Sequence, residues 1–439
     1  MLVNLNRTHN SNDTKIGYKI LKKNFLNTKI LNFKSGSSSN YWIVPKQWEV
    51  IHAKLLDGKK KVILDWKKDG PLSLFTFSQS YKGMLKWSKL RKHLLFDKKR
   101  PDSYLFHFRN QYRHWIKDWG FSIPYNKLKK IPKNQNFFVD IRTTFKNSHI
   151  QNSIQELKGS LNKSICFVSH FDHPGQLSDG LGACLMNNLL LEYIRKKYKK
   201  TNYTYLALST IEIVGSHFFL TKYSKKYNIK EALSVNTVGI NSKINYSKSF
   251  KKNSLIDRII LKISNDKNIK VEFSEFRSKM GADEIAFDSA GYNIPCGFLF
   301  RWPYDEYHSS KDNLSIVKKR NIEEFFNLMI AIIHVIESNY IPILKYKGLI
   351  CLSNPKLDLY VDPNEMSNIK QKVNLKLEYL NYKNLDLNKS ILEISRIIDN
   401  KISIFEISEI LNLPYNLVKM ICDNFFYKNI IKKKKSYLI

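Results

Sequence analysis

Ser164-Ile165-Cys166-Phe167-Val168-Ser169-His170-Phe171-Asp172-His173-Pro174, followed by Leu177-Ser178-Asp179-Gly180-Leu181-Gly182-Ala183, is the stretch on which the reading of the fold turns. Its first half is a continuous apolar run without alternation, the pattern of a strand covered on both faces. Beyond the loop, residues 183–198 carry apolar side chains at 185, 189, 190 and 194, which is helical spacing. Outward from there the rhythm repeats. Residues 203–208 and 232–236 read as strands, 294–299 as extended, and 215–227, 253–265 and 318–339 as helices. Strands alternating with helices predict an α/β domain with a mostly parallel sheet flanked by helices. In such sheets ligand sites lie beyond the carboxyl ends of the strands.

That placement singles out a set of side chains. His170 follows the first strand and Asp179 sits in the loop that opens the next helix. Glu212 and Asn236 follow the next two strands, while Asp283, Glu284 and His308 stand in later loops. Imidazoles and carboxylates emerging after consecutive parallel strands can converge on one point, which is how an open sheet builds a zinc site.

The flanks read differently. Lys34-Ser35-Gly36-Ser37-Ser38-Ser39-Asn40 is a polar loop, after which 61–66, 72–77 and 137–141 read as short strands. Trp42, Trp48, Trp66, Trp87, Trp115 and Trp119 crowd this region, as fillers of a small β-rich core or as the lining of a ligand groove. Near the other end, 390–400, 404–412 and 415–427 read as helices. The basic stretch 429–439 follows as a candidate wing, suggesting a winged helix-turn-helix. The division expected is thus 1–40, 41–150 (inserted, β-rich), 151–345 and 346–439 (winged helix).

With 439 residues, 43% of them hydrophobic, the chain can bury a sizeable core. Its 73 basic against 38 acidic residues leave a formal charge of +35. Only 12 of the basic residues are Arg, and Lys, Asn and Ile abound throughout, the mark of AT-rich coding sequence rather than of a polyanion surface. The candidate recognition helix at 415–427 has Lys419 as its sole base, which points away from nucleic acid. Five scattered cysteines, no apolar leader in Met1-Leu2-Val3-Asn4-Leu5 and no run near ~18 apolar residues predict a cytoplasmic protein without a membrane span. A homo-oligomer is compatible with all of this.

The motifs taken together resemble the zinc aminopeptidase superfamily with co-catalytic metals. The resembling stretches are His170-Phe171-Asp172, Asp179-Gly180-Leu181-Gly182, Glu212 before Gly215-Ser216, Asn236-Thr237-Val238-Gly239 and Tyr307-His308-Ser309. A bacterial aminopeptidase-like branch, associated with surface-polysaccharide gene clusters, is similar over nearly the whole chain. Trp42-Ile43-Val44-Pro45-Lys46-Gln47-Trp48, Gly281-Ala282-Asp283-Glu284 and Pro303-Tyr304-Asp305-Glu306 carry that likeness. It implies that 1–40 joins 151–345 around the insert. It also implies one zinc on Asp179, Glu212 and His308, with a second, weaker site on His170 and Asp179 helped by His173 or Asp172. Two positions depart from the pattern. Ile211 stands where the superfamily has a glutamate base, and Asn236, a poor zinc ligand, where it has an aspartate. Asp283 and Glu284 are then the catalytic candidates, and Arg301 a grip for a substrate carboxylate. The activity implied is hydrolysis of an amide in a peptide or amino-acylated sugar, linked to surface polysaccharide. A degenerate peptidase fold that only binds, and a winged-helix regulator, are the rival readings.

Overall fold

An eight-stranded sheet organises the protein. In spatial order its strands are Thr28–Lys34, His149–Leu157, Thr204–Thr210, Ser164–His170, Ile229–Val235, Cys296–Arg301, Ile244–Ser247 and Val271–Ser274. This is a computed structural model, and it describes residues 1–360 and 386–436. The four central strands, Thr204–Thr210 through Cys296–Arg301, pair in parallel. Toward the edges the sheet turns antiparallel. His149–Leu157 runs against both of its neighbours, and Ile244–Ser247 against Cys296–Arg301. The expected α/β architecture is therefore present, parallel at its centre and mixed at its margins. Every residue of Ser164–His170 is buried, as its unbroken apolar run requires.

Helices Asn12–Asn24, Leu181–Lys197 and Val214–Tyr227 flank this sheet. The first is capped by Ser11, whose hydroxyl accepts from Thr14 N at 3.1 Å. It packs on Thr28–Lys34 and His149–Leu157, so the first residues of the chain share the sheet with those after 149.

A second sheet, antiparallel and four-stranded, joins Val62–Asp65, Gln47–Leu56, Asn136–Lys146 and Tyr81–Lys86. It has its own core, with Trp48, Leu55, Phe121 and Phe137 among its buried members. The strand expected at 72–77 does not form. Pro71–Ser73 is a 3-10 turn, and Leu72, Leu74, Phe75 and Phe77 are all buried. Phe77 adopts a left-handed backbone (φ 58°), which ends any extended run there.

Met1–Ser254 with Val271–Asn327 forms one compact unit, and Leu255–Lys270 with the described residues from Leu328 onward forms another. The second unit holds helices Leu255–Asp266, Leu387–Ile397, Ile404–Ile410 and Tyr415–Tyr427. Ile404–Ile410 begins with a capping box between Ser403 and Glu406. The basic strand Ile431–Lys435 pairs antiparallel with Tyr340–Leu344, so the ribbon draws one strand from before the three helices at 387–427. Residues 437–439, counted in the expected wing, lie outside the described residues. Among the described residues, no helix is long and apolar enough to cross a membrane.

Candidate metal centre and active site

The central strands deliver side chains to one place at their carboxyl ends. His170 closes Ser164–His170, and the loop after it must double back to bring Asp179 onto the imidazole. Gly180 makes this possible. It has φ 96°, and a Cβ there would collide with the His170 carbonyl oxygen and ring. Arg7 ties the loop from beneath. It is fully buried and donates through Nη1 to the Phe171 carbonyl, through Nη2 to the Gln176 carbonyl, and through Nε to the Leu2 carbonyl at 3.1 Å. Burial pulls its guanidinium down to about 10, so it stays charged at neutral pH. Asp312 fixes the other end by accepting from Ser178 N (2.7 Å) and Asp179 N (3.0 Å).

Asp179 is the hub. His170 Nε2 lies 3.1 Å from its Oδ1, and His308 Nε2 lies 3.1 Å from its Oδ2. His173 Nε2 lies 3.9 Å from Asp179 Oδ2 and 3.7 Å from Glu212 Oε2. Ligand atoms of His170, His173 and Asp179 all lie within 4.8 Å of one another. Four of the side chains expected at the site, His170, Asp179, Glu212 and His308, are thus brought together, with His173 among them.

Three observations show that the cluster suits a cation. Asp179 Oδ2 is buried and faces His308 Nε2 (3.1 Å) and His173 Nε2 (3.9 Å) without a well-aligned hydrogen bond among the described residues. His173 donates from Nδ1 to the Asp172 carbonyl at 2.7 Å, which leaves the Nε2 lone pair facing Asp179 and Glu212. The donors are nitrogens and carboxylate oxygens, the set zinc takes.

The electrostatics agree. For Asp179, burial would raise the carboxyl, but His173, His170 and His308 hold it well below the usual range. Burial would lower His170, yet hydrogen bonds to Asp179 and Asp283 raise it well above an ordinary histidine. His173 is pulled down to about 4 by burial, so it is neutral at pH 7, as a ligand must be. Desolvation pushes Glu212 up to about 8 against the pull of His170 and of a hydrogen bond from the Tyr112 hydroxyl.

Neighbouring groups position these side chains. Asn236 donates from Nδ2 to Asp179 Oδ1 (2.8 Å), while its Oδ1 accepts from Gly180 N and Thr237 N. Its oxygen is committed to backbone, so Asn236 orients Asp179. Asp172 accepts from Glu212 N at 2.8 Å and faces His9 Nε2 at 3.2 Å, both side chains buried. Asp283 accepts from Ile213 N and Ser216 Oγ, and its Oδ2 lies 3.6 Å from His170 Nδ1. A carboxylate behind a ligating histidine sets the ring's orientation.

Glu284 is elsewhere. Its carboxylate is clasped by Arg277 Nη1 (2.9 Å) and Ala282 N (2.8 Å). Arg301 also departs from the expected substrate grip. Its side chain is 4% exposed, and it donates to the Ser242 and Asn321 carbonyls and to Glu324. The guanidinium is engaged inside the fold, not held out for a substrate.

The sequence reading missed Phe106, Phe108 and Tyr112. Phe106 packs edge-on against His173 (4.7 Å between centroids) and His308 (5.3 Å), with Phe108 5.6 Å from His308. They stand in a segment without strand or helix periodicity, where aromatic density was the one available signal. Replacing Tyr112 by Phe should raise the Glu212 carboxyl further, because the hydroxyl's bond favours the ionised form. Metal uptake should then need a pH higher by about one to two units, given ~1.5–3 kcal/mol for a hydrogen bond to a charged group. Zinc occupancy against pH for the two proteins measures this.

A parallel-centred sheet with histidines and carboxylates gathered after its strand ends is an aminopeptidase-like fold. Residues 1–339 match the family model DUF4910, a domain of unknown function, and the chain belongs to that family. A Clostridium acetobutylicum protein is 26% identical over 316 residues, 71% of this chain and 70% of that one. It is described as a candidate polysaccharide biosynthesis protein with an aminopeptidase-like domain. The crystal structure of a candidate peptidase from the same organism matches with TM-score 0.81 at 23% identity, covering 98% of this chain and 94% of that one. A zinc aminopeptidase from Bacillus subtilis matches with TM-score 0.53 at 11% identity, over 75% of this chain and 90% of that one. These structures share the fold.

Proposed function

We propose that the protein is a cytosolic, zinc-dependent hydrolase of the aminopeptidase type that cleaves an amide bond of a peptide or amino-acylated sugar. The observation that carries this is the convergence of His170, His173 and His308 on Asp179, with Glu212 beside His173. One zinc would be held by Asp179, Glu212 and His308, with His173 adjoining. A second, on the His170 side, would lack the carboxylate that Asn236 replaces. Zinc, when bound, polarises a carbonyl and lowers the pKa of its water toward ~7.

The chain's own groups do the rest. Asp283 orients His170, and Phe106 covers His173 and His308, which limits water around the reacting amide. Burial pushes Glu284 up to about 7 against Arg277, but Arg277 and Ala282 N hold its carboxylate apart from the Asp179 cluster. Glu284→Gln should therefore lower stability and leave kcat nearly unchanged, and a drop of ~100- to 10,000-fold in kcat would instead make it the base.

The polysaccharide assignment of the Clostridium relative is why sugar amides stand beside peptides as substrates. Five free cysteines, four of them buried, fit a reducing compartment. In the candidate recognition helix Lys419 is paired with Asp423, which leaves little for a nucleic acid. After zinc loading and dialysis the protein should retain about one equivalent. It should also cleave a member of a panel of aminoacyl-anilides and aminoacyl-hexosamines, with chelation abolishing turnover. Occupancy well under one overturns the reading. Retained zinc without turnover favours a binding module, the alternative motivated by Ile211.

A further inference from the structure

The crowded tryptophans divide into two sets. Trp48 and Trp119 are buried in the core of the four-stranded sheet, with Trp66 and Trp87 packed against it. Trp42 and Trp115 do something else. With Tyr41, Ile43, Gln111 and Tyr112 they line a cavity of about 280 Å³. Trp115 is 61% exposed and Tyr41 entirely so, a large aromatic surface that folding leaves in water. Tyr41 stands at the tip of the hairpin joining Ser38–Ser39 to Trp42–Ile43. Asn40 and Tyr41 are both left-handed there (φ 46° and 64°), as a two-residue turn demands and a tyrosine rarely supplies.

Gln111 separates this cavity from a plain apolar slot. It is 1% exposed, and neither its Oε1 nor its Nε2 has a hydrogen-bond partner among the described residues. A buried carboxamide left unpaired costs free energy that an apolar occupant would not return. An occupant with both a donor and an acceptor would satisfy it once the carboxamide, whose polar atoms are now shielded, rotates toward the cavity. Tyr112 lines the cavity and also donates to Glu212, which ties the cavity wall to the Asp179 cluster.

Building on the hydrolase reading above, we infer that this cavity is a subsite for the pyranose ring of an amino-acylated sugar, and that such sugar amides are the substrate class. A pyranose has a C–H face to lie on Trp42, Trp115 or Tyr41, and hydroxyls that each donate and accept, matching the two ends of Gln111. A leucine or phenylalanine side chain has the face without the polar edge. The reaction adds water across the C–N bond, releasing the carboxylic acid and leaving the amine on the sugar.

The test titrates the full chain with methyl 2-acetamido-2-deoxy-hexopyranosides (gluco, galacto and manno) and with N-acetyl-leucinamide, followed by saturation-transfer NMR and calorimetry. At least one hexosaminide should bind near ~1 mM, and N-acetyl-leucinamide about tenfold more weakly or worse. Gln111→Ala should weaken the sugar about tenfold. Trp115→Ala, at an exposed position, should do the same without threatening the fold. No saturable sugar binding, equal affinity for N-acetyl-leucinamide, or an unchanged affinity in Trp115→Ala would overturn the inference. Zinc content and aminoacyl-anilide turnover, measured on the same samples, separate the two ideas. Zinc and turnover without sugar binding defeat the subsite alone, whereas sugar binding without zinc defeats the hydrolase reading and leaves the subsite.

Discussion

Asp179→Asn should leave the protein unable to keep zinc, with occupancy falling from about one equivalent to below about one tenth. The substitution keeps the size of the side chain and removes only its charge. That charge faces His170 and His308 at 3.1 Å each and His173 at 3.9 Å, in a buried setting. The depressed Asp179 pKa gives stability that is present at neutral pH, above the unfolded value of ~3.9, and is lost only as pH falls through the folded value. His170 works in the opposite sense. Its raised pKa gives stability that is full below ~6.5 and fades as pH rises through the folded value. Without Asp179, His170 still has Asp283 and the Glu212 charge, so the loss should stay below the ~3–5 kcal/mol that leaving a buried charge unpaired costs. Zinc at a hundredfold excess over its Kd should stabilise the wild type by about 2.7 kcal/mol and the variant by none. Calorimetric melts with and without zinc read both effects. Asp288→Asn should behave as wild type, because Asp288 lies outside the cluster and accepts from Phe250 N. Loading should also release protons at pH 7, since Glu212 (about 8) and His170 must give them up, and affinity should climb through pH 8. Titrations in buffers of different ionisation enthalpy count those protons.

The parts of this architecture that announce themselves in sequence are those whose cause is local. Ser164–His170 shows as a strand because both of its faces are buried, which forces an unbroken apolar run. His170, Asp179, Glu212 and His308 could be grouped because loops following parallel strands open on the same edge. The antiparallel margins have no such signature. Thr28 pairs with Gln155, and no local pattern reports a partner so far away. His149–Leu157 even buries Asn152, Ser153 and Gln155, polar residues that break any apolar strand pattern. Arg301 shows the same limit at the site. Its neighbours Phe300 and Trp302 gave no hint that Ser242, Asn321 and Glu324 would occupy its guanidinium. Tyr112 and His9 act through partners about 100 and 163 residues away, contacts only the fold creates.

Ile211→Glu should strongly destabilise the protein rather than activate it. On resemblance alone, an acid at this position would restore a base beside Glu212. The structure puts Ile211 entirely inside the main hydrophobic core, among residues such as Val168, Leu208 and Phe219. Gly215 packs so closely that a Cβ there would stand 3.1 Å from the Ile211 Cβ. A glutamate here forfeits the burial of the isoleucine, ~1.5–3 kcal/mol, and takes a carboxyl out of water without a partner, at ~2 kcal/mol or more even when protonated. The sum is a large part of the ~5–15 kcal/mol that typically holds a domain together. The pH dependence identifies the cause. Burial raises the folded pKa of such an acid, so the folded state binds more protons than the unfolded chain, and the penalty grows as pH rises above ~4.3. The denaturation midpoint of Ile211→Glu should therefore drop further below wild type at pH 7 than at pH 5, while Ile211→Val loses only about 1 kcal/mol at both. Should the glutamate variant instead melt like wild type at pH 7 and cleave aminoacyl-anilides faster, its side chain has turned toward Asp179 and the vacancy in the catalytic pair is real.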